Sequence, residues 1–249
     1  MKTQLKGLKI MKKISKISLL AVSLVIISCE IPADLNDNPN EITVTDVDAN
    51  LFLNGAQLAN VIVQVSHLNR ISGMFSGQLI GYTSLYSNIY GYSLSTVESN
   101  GEWNRAYIGV VANTRHIQAS APDDKLLVGI TQVLEAHAIS SLAILTGDVP
   151  FSEVVTANEA PKFDDQKTVL DGCSTLLSEA ITTLTGATSR SEAYDIYYGG
   201  DKDKWIAAAY TLKARIALIK KDYASALSNA GTGISSSAGD MMYIPRGDA

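Results

Sequence analysis

Apolar residues recur every three or four positions from about residue 48 onward, which is the spacing of one face of an α-helix. Six stretches show this spacing, and turn residues or polar segments separate them. No clear run of strand-type alternation competes with them in the sequence. The pattern therefore predicts a mainly α-helical fold for residues 48–249.

The apolar stripes of the first five predicted helices are expected to face the core. In chain order, their members are Leu51, Leu58, Val61, Val65 and Leu68; Trp103, Tyr107, Val110, Val111, Thr114 and Ile117; Leu126, Ile130, Val133, Leu134, His137, Ser141, Ile144 and Leu145; Val169, Cys173, Leu176, Ala180, Ile181 and Leu184; and Trp205, Ala208, Ala209, Leu212, Ile216 and Ile219.

The last two predicted helices, residues 205–230, resemble a tetratricopeptide-like hairpin. Alanines stand where two antiparallel helices must approach closely. Such a hairpin cannot bury its apolar face alone, so we expect it to pack on the earlier helices. Two long irregular loops, residues 147–166 and 186–200, separate the elements before it.

The N-terminus has the composition of a secretory signal. Six lysines and no acidic residue precede position 28, and residues 17–28 form an apolar run too short to span a bilayer as a helix. Translation from Met11 would give the same kind of leader as translation from Met1. We expect residues 1–28 to be a signal peptide that is absent from the mature protein.

The end of this leader, IISC at residues 26–29, resembles the lipobox of bacterial lipoproteins. In a lipobox, an aliphatic and then a small residue precede a cysteine that is lipidated and becomes the mature N-terminus. The resemblance implies that Cys29 carries acyl chains. Residues 29–47 are polar, contain two prolines and are expected to form a lipidated tether ahead of the helical body.

Removal of the leader makes the protein strongly acidic. Six of the 20 Lys and Arg are lost and all 25 Asp and Glu remain, so the formal charge changes from −5 to 14 − 25 = −11. Such a protein is not expected to bind nucleic acid or anionic lipid through its surface charge. Membrane attachment is therefore expected to come from the acyl chains on Cys29.

The sequence offers no recognisable catalytic pattern. The three histidines, His67, His116 and His137, lie far apart, and there is no nucleophile elbow, phosphate-binding loop or dinucleotide fingerprint. We interpret His137 as a core histidine with a polar neighbour and Cys173 as a small buried apolar residue. We accordingly expect neither enzymatic activity nor a metal or cofactor.

Three pairs of acidic residues could suggest a glycosidase, which holds two carboxylates across a sugar ring. Because the pairs stand at predicted helix starts or in loops, helix capping is the favoured interpretation. The acidic pairs are Asp123 with Asp124, Asp164 with Asp165, and Asp201 with Asp203.

The segment GDVPF is expected to end a helix and form a turn. Gly147 is expected to end the helix, Asp148 to accept hydrogen bonds from the amides of the turn, and Pro150 to prevent continuation.

Residues 79–95, LIGYTSLYSNIYGYSLS, hold four of the eleven tyrosines. Spacing alone fits either a helix face or a strand face, but the Gly, Ser and Asn content disfavours a long helix and predicts a partly irregular segment. Sugars combine apolar C–H faces with hydroxyl groups, so aromatic rings beside amide and hydroxyl groups suit them. The alternative is that these rings pack on the first helices. The candidate ligand-binding residues are Tyr82, Tyr86, Asn88, Tyr90 and Tyr92.

Four segments together resemble the SusD/RagB family, the surface lipoproteins of Bacteroidetes that capture nutrients. They are DLNDNPNEIT at 34–43, WNRAYIGVVANTRHI at 103–117, LEAHAISSLAILTGDVPFSE at 134–153 and KWIAAAYTLKARIALIKKDYASAL at 204–227. Each is similar to a family segment, and the four occur in the family's order.

The resemblance implies a non-enzymatic, lipid-anchored protein of the outer membrane that faces the cell exterior. It would bind glycan or peptide nutrients and deliver them to a TonB-dependent transporter of the SusC-like type. Family members usually continue beyond this length, so we expect an N-terminal portion of the family's fold. The alternative is a lipid-anchored helical-repeat adaptor that binds only protein partners.

The predicted anchor can be tested by changing Cys29. Cys29→Ala should abolish labelling by radioactive palmitate and release the protein from membranes, because the acyl chains supply the attachment. Cys173→Ala is the matched control and should keep both properties. Membrane attachment that persists in Cys29→Ala would contradict the prediction.

Overall fold

The computed structural model of the chain describes residues 48–95, 98, 100–154 and 160–245. The predicted signal peptide at 1–28, the lipidated Cys29 and the tether at 29–47 lie outside the described residues. They remain predictions.

The described part of the chain is mainly α-helical, as the spacing predicts. It contains no β-sheet, and the isolated antiparallel bridge is between Val149 and Asp164. The elements in chain order are α1 (Ala49–Val65), α2 (His67–Phe75), α3 (Ser84–Tyr90), α4 (Asn100–Asn104), a π-helical segment (Arg105–Ala112), α5 (Asn113–Ser120), α6 (Lys125–Thr146), α7 (Gln166–Thr185), α8 (Lys202–Ile219), α9 (Tyr223–Ala230) and a 3₁₀ turn (Ser237–Gly239).

Helix α6 is the centre of the core. It packs against α1, α5, α7, α8 and the π-helical segment. Leu126, Leu134 and Leu142 are buried, as are small residues on its other faces. By length and composition this helix could cross a membrane, but 78% of its most apolar 18-residue window is buried inside the protein. Its apolar character is therefore that of a core helix.

One aspartate of each acidic pair caps a helix, as predicted, whereas Asp164 accepts hydrogen bonds from the loop amides of Phe151 and Ser152. Asp124 Oδ1 accepts a hydrogen bond from the amide of Leu127 at 3.2 Å, and Asp165 Oδ1 accepts one from the amide of Thr168 at 3.0 Å. Asp201 caps α8 in the same way. These carboxylates satisfy amides that have no partner within their own helix.

The segment after α6 differs in one detail from the prediction. Gly147 ends the helix with a positive φ of 89°, which an L-residue with a side chain rarely adopts. Asp148 does not bond the amides of its own turn; its Oδ1 accepts from the amide of Gln166, at the start of α7, at 2.9 Å. The bridge between Val149 and Asp164 brings the two ends of this loop together and makes that contact possible.

The buried face of helix α1 differs from the predicted apolar stripe. Leu51, Leu58 and Val65 were expected in the core, but all three are exposed, while Gln57 and Asn60 are fully buried. The helix carries aliphatic side chains on both faces, so periodicity cannot identify the inner one. Hydrogen bonds made by the two buried amides identify it instead. The residues that α1 buries are Leu53, Ala56, Gln57, Asn60 and Val63.

Asp195, in the loop 186–200, lies at the centre of the most connected polar cluster. Its Oδ1 accepts from Nε2 of Gln57 at 3.0 Å, and its Oδ2 accepts from the amide of Gly200 at 2.9 Å and from Nε1 of Trp205 at 2.8 Å. Gln57 Oε1 in turn accepts from the amide of Ile196 at 2.7 Å. We call these five residues the Asp195 cluster. It joins α1 and α8 to the loop between α7 and α8.

The predicted hairpin is formed by α8 and α9. Helix α8 packs on α6 and α7 and buries Trp205 and Ile216, as expected, whereas Ile219 is exposed. Helix α9 packs on α8, but none of its residues is buried. Tyr223 and Leu227 lie on its exposed surface.

The Asp195 cluster yields a prediction for stability. Asp195→Ala leaves three or more buried donors without an acceptor, each costing about 1–3 kcal/mol. The free energy of unfolding should fall by about 3 kcal/mol or more, measured by urea denaturation followed by circular dichroism. Asp123→Ala, at an exposed aspartate, is the control and should change it by less than about 1 kcal/mol. Equal effects of the two changes would contradict the role given to Asp195.

Candidate functional site

The tyrosine segment folds as a short helix between irregular stretches, in agreement with its composition. Helix α3 has seven residues and is anchored by Ile89, which is fully buried. A Cβ at Gly81 would lie 1.9 Å from the carbonyl oxygen of Tyr86, so only glycine fits there. This close approach brings the backbone before α3 against the helix and places Tyr82 next to Tyr86.

Tyr82 and Tyr86 line a cavity of about 320 Å³, which we call the tyrosine cavity. The Tyr82 side chain is 83% exposed, whereas that of Tyr86 is half-buried. The guanidinium carbon of Arg70, on α2, lies 5.7 Å from the centre of the Tyr86 ring, which is a cation–π distance. The full lining is Arg70, Met74, Leu79, Ile80, Gly81, Tyr82, Thr83 and Tyr86.

Tyr92 lies in a different environment. Its ring packs on that of Phe75 with centroids 5.1 Å apart, and its hydroxyl donates to the Phe75 carbonyl oxygen at 3.3 Å. Phe75 belongs to a second cavity of about 590 Å³, most of which is apolar. The two cavities share no lining residue, since α2 contributes Arg70 and Met74 to the tyrosine cavity and Ile71 and Phe75 to the second one. The second cavity is lined by Leu68, Ile71, Ser72, Phe75, Ser76, Leu94, Ser95, Leu145 and Thr146.

The remaining predicted site residues, Asn88 and Tyr90, are exposed on α3 and line neither of these two cavities. The structure thus brings together Tyr82 and Tyr86 and leaves Asn88, Tyr90 and Tyr92 apart from them. Ligand binding by any of the five stays a prediction.

Arg70 lines this cavity but was not among the site residues predicted from the sequence. It stands on α2, away from the tyrosines in sequence, and only the fold brings the two segments together. One sequence signal could have found it. Arg70 is the only Lys, Arg, Asp or Glu between Asp48 and Glu98.

Of the two residues interpreted as structural, Cys173 is fully buried and His137 is half-buried. His137 Nδ1 lies 3.2 Å from the side-chain amide nitrogen of Asn60, and burial, with a smaller effect of Arg215, lowers the pKa of His137 to about 3. Burial, and then the nearby Glu135, raises the pKa of the Cys173 thiol to about 12. A neutral imidazole and a protonated thiol fit core roles. The described residues contain no cluster of three or more His, Cys, Asp or Glu that could hold a metal ion.

The lowered pKa of His137 predicts a pH dependence of stability. Between pH 6.5, its ordinary pKa, and about 3, the unfolded chain binds a proton that the folded protein excludes. Stability should therefore fall as the pH decreases through this window, by about 1.4 kcal/mol per pH unit from this group.

His137→Gln keeps a neutral polar side chain without the titration. The difference in unfolding free energy between the variant and the natural protein, measured by urea denaturation from pH 7 to pH 4.5, should shift in favour of the variant as the pH falls. A difference that does not change with pH would contradict the assignment.

A sequence profile of a known protein family matches most of the chain. The sequence profile of the SusD-like family described as "Starch-binding associating with outer membrane" matches residues 39–241. No curated protein matches the chain in a sequence comparison.

Solved structures share the fold. A SusD/RagB family protein from Bacteroides thetaiotaomicron is 21% identical with a TM-score of 0.71, and the match covers 78% of this chain and 44% of that one. A SusD homolog from Bacteroides ovatus is 20% identical with a TM-score of 0.60, covering 76% and 43%. A chitin-binding SusD homolog from Flavobacterium johnsoniae is 20% identical with a TM-score of 0.57, covering 73% and 43%. The matched region is thus less than half of each solved structure.

Proposed function

Since this chain belongs to the SusD-like family, we propose that it binds glycan nutrients at the cell surface, through the tyrosine cavity, and delivers them to a TonB-dependent transporter. The family description names starch binding and association with the outer membrane, and one similar structure is of a chitin-binding protein. Both are glycans of neutral sugar rings. These descriptions support a glycan as the ligand class.

The observation that carries the proposal is the exposure of Tyr82 at the tyrosine cavity. An aromatic ring that is 83% exposed contributes little to the core, yet here it stands beside a second tyrosine ring and a cation. Contact with a sugar would remove this ring from water, while its hydroxyl keeps hydrogen-bonding to solvent or ligand. The arrangement suits a glycan better than it suits packing.

The cavity has the mixed chemistry that a glycan requires. Its volume of about 320 Å³ is near the lower end for small-molecule sites, and it is open to solvent, so part of a longer chain could lie in it. Arg70 and the hydroxyl group of Thr83 provide polar partners, and Met74, Leu79 and Ile80 provide apolar contact. We propose binding without turnover, because no acid and base pair lines this cavity.

Delivery requires attachment at the membrane. We propose that acyl chains on Cys29 hold the helical body at the outer membrane, above the transporter, so that ligand is enclosed between the two proteins. The tetratricopeptide-like hairpin of α8 and α9 would supply scaffold and a surface for the transporter. The signal sequence and lipobox pattern support the anchor.

A second candidate function is that of a lipid-anchored adaptor that binds only proteins. Tyr223 and Leu227 on α9 are exposed apolar side chains of the kind found at protein interfaces. Such an adaptor would not bind a glycan, so a glycan-binding measurement separates the two functions.

Glycan binding is tested by titrating starch and chitin oligosaccharides into the purified protein by isothermal titration calorimetry. If the cavity is the site, Tyr82→Ala should weaken binding by about 5–10-fold, because one aromatic contact contributes about 1–1.5 kcal/mol. Tyr223→Ala removes a comparably exposed tyrosine outside the cavity and should have no effect. Binding that is equally weakened by both changes, or unaffected by either, would place the site elsewhere.

A further inference from the structure

Arg70 is the one Lys, Arg, Asp or Glu in a long stretch of the sequence of this acidic protein. The chain has 25 Asp and Glu against 20 Lys and Arg, yet residues 49–97 contain no acidic residue and one formally charged residue, Arg70. Both tyrosines of the cavity lie within the same stretch. The cavity is therefore the place in this segment where a fixed positive charge faces solvent.

Of the four other arginines in the described residues, three have carboxylate partners, and Arg215 on α8 forms no ion pair with a described residue. Arg105 bonds Glu102 at 2.9 Å, and Arg115 bonds Glu135 at 2.8 Å. Arg190 bonds Asp124 at 2.7 Å. Arg70 forms no ion pair with any described residue, and its packing partner is the face of the Tyr86 ring.

The Tyr86 ring prepares Arg70 for a planar anion. A guanidinium in cation–π contact with an aromatic face can still donate its N–H groups, and these groups match the two oxygens of a carboxylate. The contact with the ring also restricts the side chain, so less rotamer freedom is lost when a ligand binds. A wholly neutral ligand that covers Arg70 would remove water from a charge without compensating it.

Resting on the proposed function, we infer that the tyrosine cavity selects acidic glycans and that Arg70 binds the carboxylate of a uronic acid residue. Two N–H groups of the guanidinium donate to the two carboxylate oxygens. Tyr82 and Tyr86 contact the apolar face of the sugar. No Asp or Glu among the described residues lines the cavity, so no carboxylate in its wall repels such a ligand.

The test compares each acidic glycan with its neutral counterpart of the same sugar. Oligosaccharides of polygalacturonate, alginate and hyaluronan are titrated into the full chain by calorimetry, alongside their methyl esters, in which the carboxylates are uncharged. At least one acid should bind ten-fold or more tightly than its ester. This preference should decrease as salt is added, because an exposed ion pair is screened.

Variants of Arg70 identify the residue responsible. Arg70→Gln should bind the acid and the ester with equal affinity, and Arg70→Lys should retain part of the preference, since it keeps the charge and loses the bidentate geometry. Tyr82→Ala should weaken acid and ester together. Both side chains, Arg70 and Tyr82, are exposed, and unchanged thermal unfolding shows that the variants are folded.

The outcomes separate this inference from the proposed function. One outcome is that the esters, or neutral starch and chitin oligosaccharides, bind as well as the acids, with no effect of Arg70→Gln. That result would overturn the selection of acidic glycans and leave the proposal of glycan binding intact. An acidic peptide that binds better than every acidic glycan would also overturn it. No binding by any glycan would reject both proposals.

Discussion

The buried carboxylate of Asp195 is the interaction on which the arrangement of this protein depends. It accepts hydrogen bonds from Gln57 of α1 and Trp205 of α8, which are 148 residues apart, and it holds the loop between α7 and α8. Helix α2 follows α1 after one residue, Ser66, whose hydroxyl donates to Glu102 at 2.9 Å. Because Arg70 lies on α2, the position of α1 also determines where one wall of the tyrosine cavity stands.

The surface of the protein combines two kinds of recognition chemistry. The tyrosine cavity offers rings, one cation and hydroxyl groups, which suit a ligand that keeps its own hydrogen-bonding groups. The exposed apolar side chains of α1 and α9 offer only contact area, which suits other protein surfaces. The proposed capture of a glycan and its transfer to a partner would use both kinds of surface, which lie on different helices.

The parts of the fold that the sequence predicts well are those that depend on residues close together in the chain. Asp124 and Asp165 cap helices within three residues of themselves, and α7 and α8 each bury one face of the helix. Predictions were wrong or incomplete where a distant segment decides the outcome. Asp148 bonds α7 across a loop, and Gln57 meets a partner 138 residues away. Arg70 contacts the tyrosines only because α2 packs against α3, and the spacing of apolar residues within one helix cannot predict such a contact.

Helix α1 has a further consequence for how the chain reaches its native state. Its outward side is aliphatic and its inward side includes two amides, so nonspecific collapse favours the wrong side. Successive residues are about 100° apart around the helix, so a rotation of about 100° about its axis would exchange Gln57 for Leu58. The correct roll is fixed only when Asp195, far along the chain, is in place. The orientation of α1 therefore depends on a residue more than a hundred positions later in the chain, and without that contact α1 is a locally frustrated element.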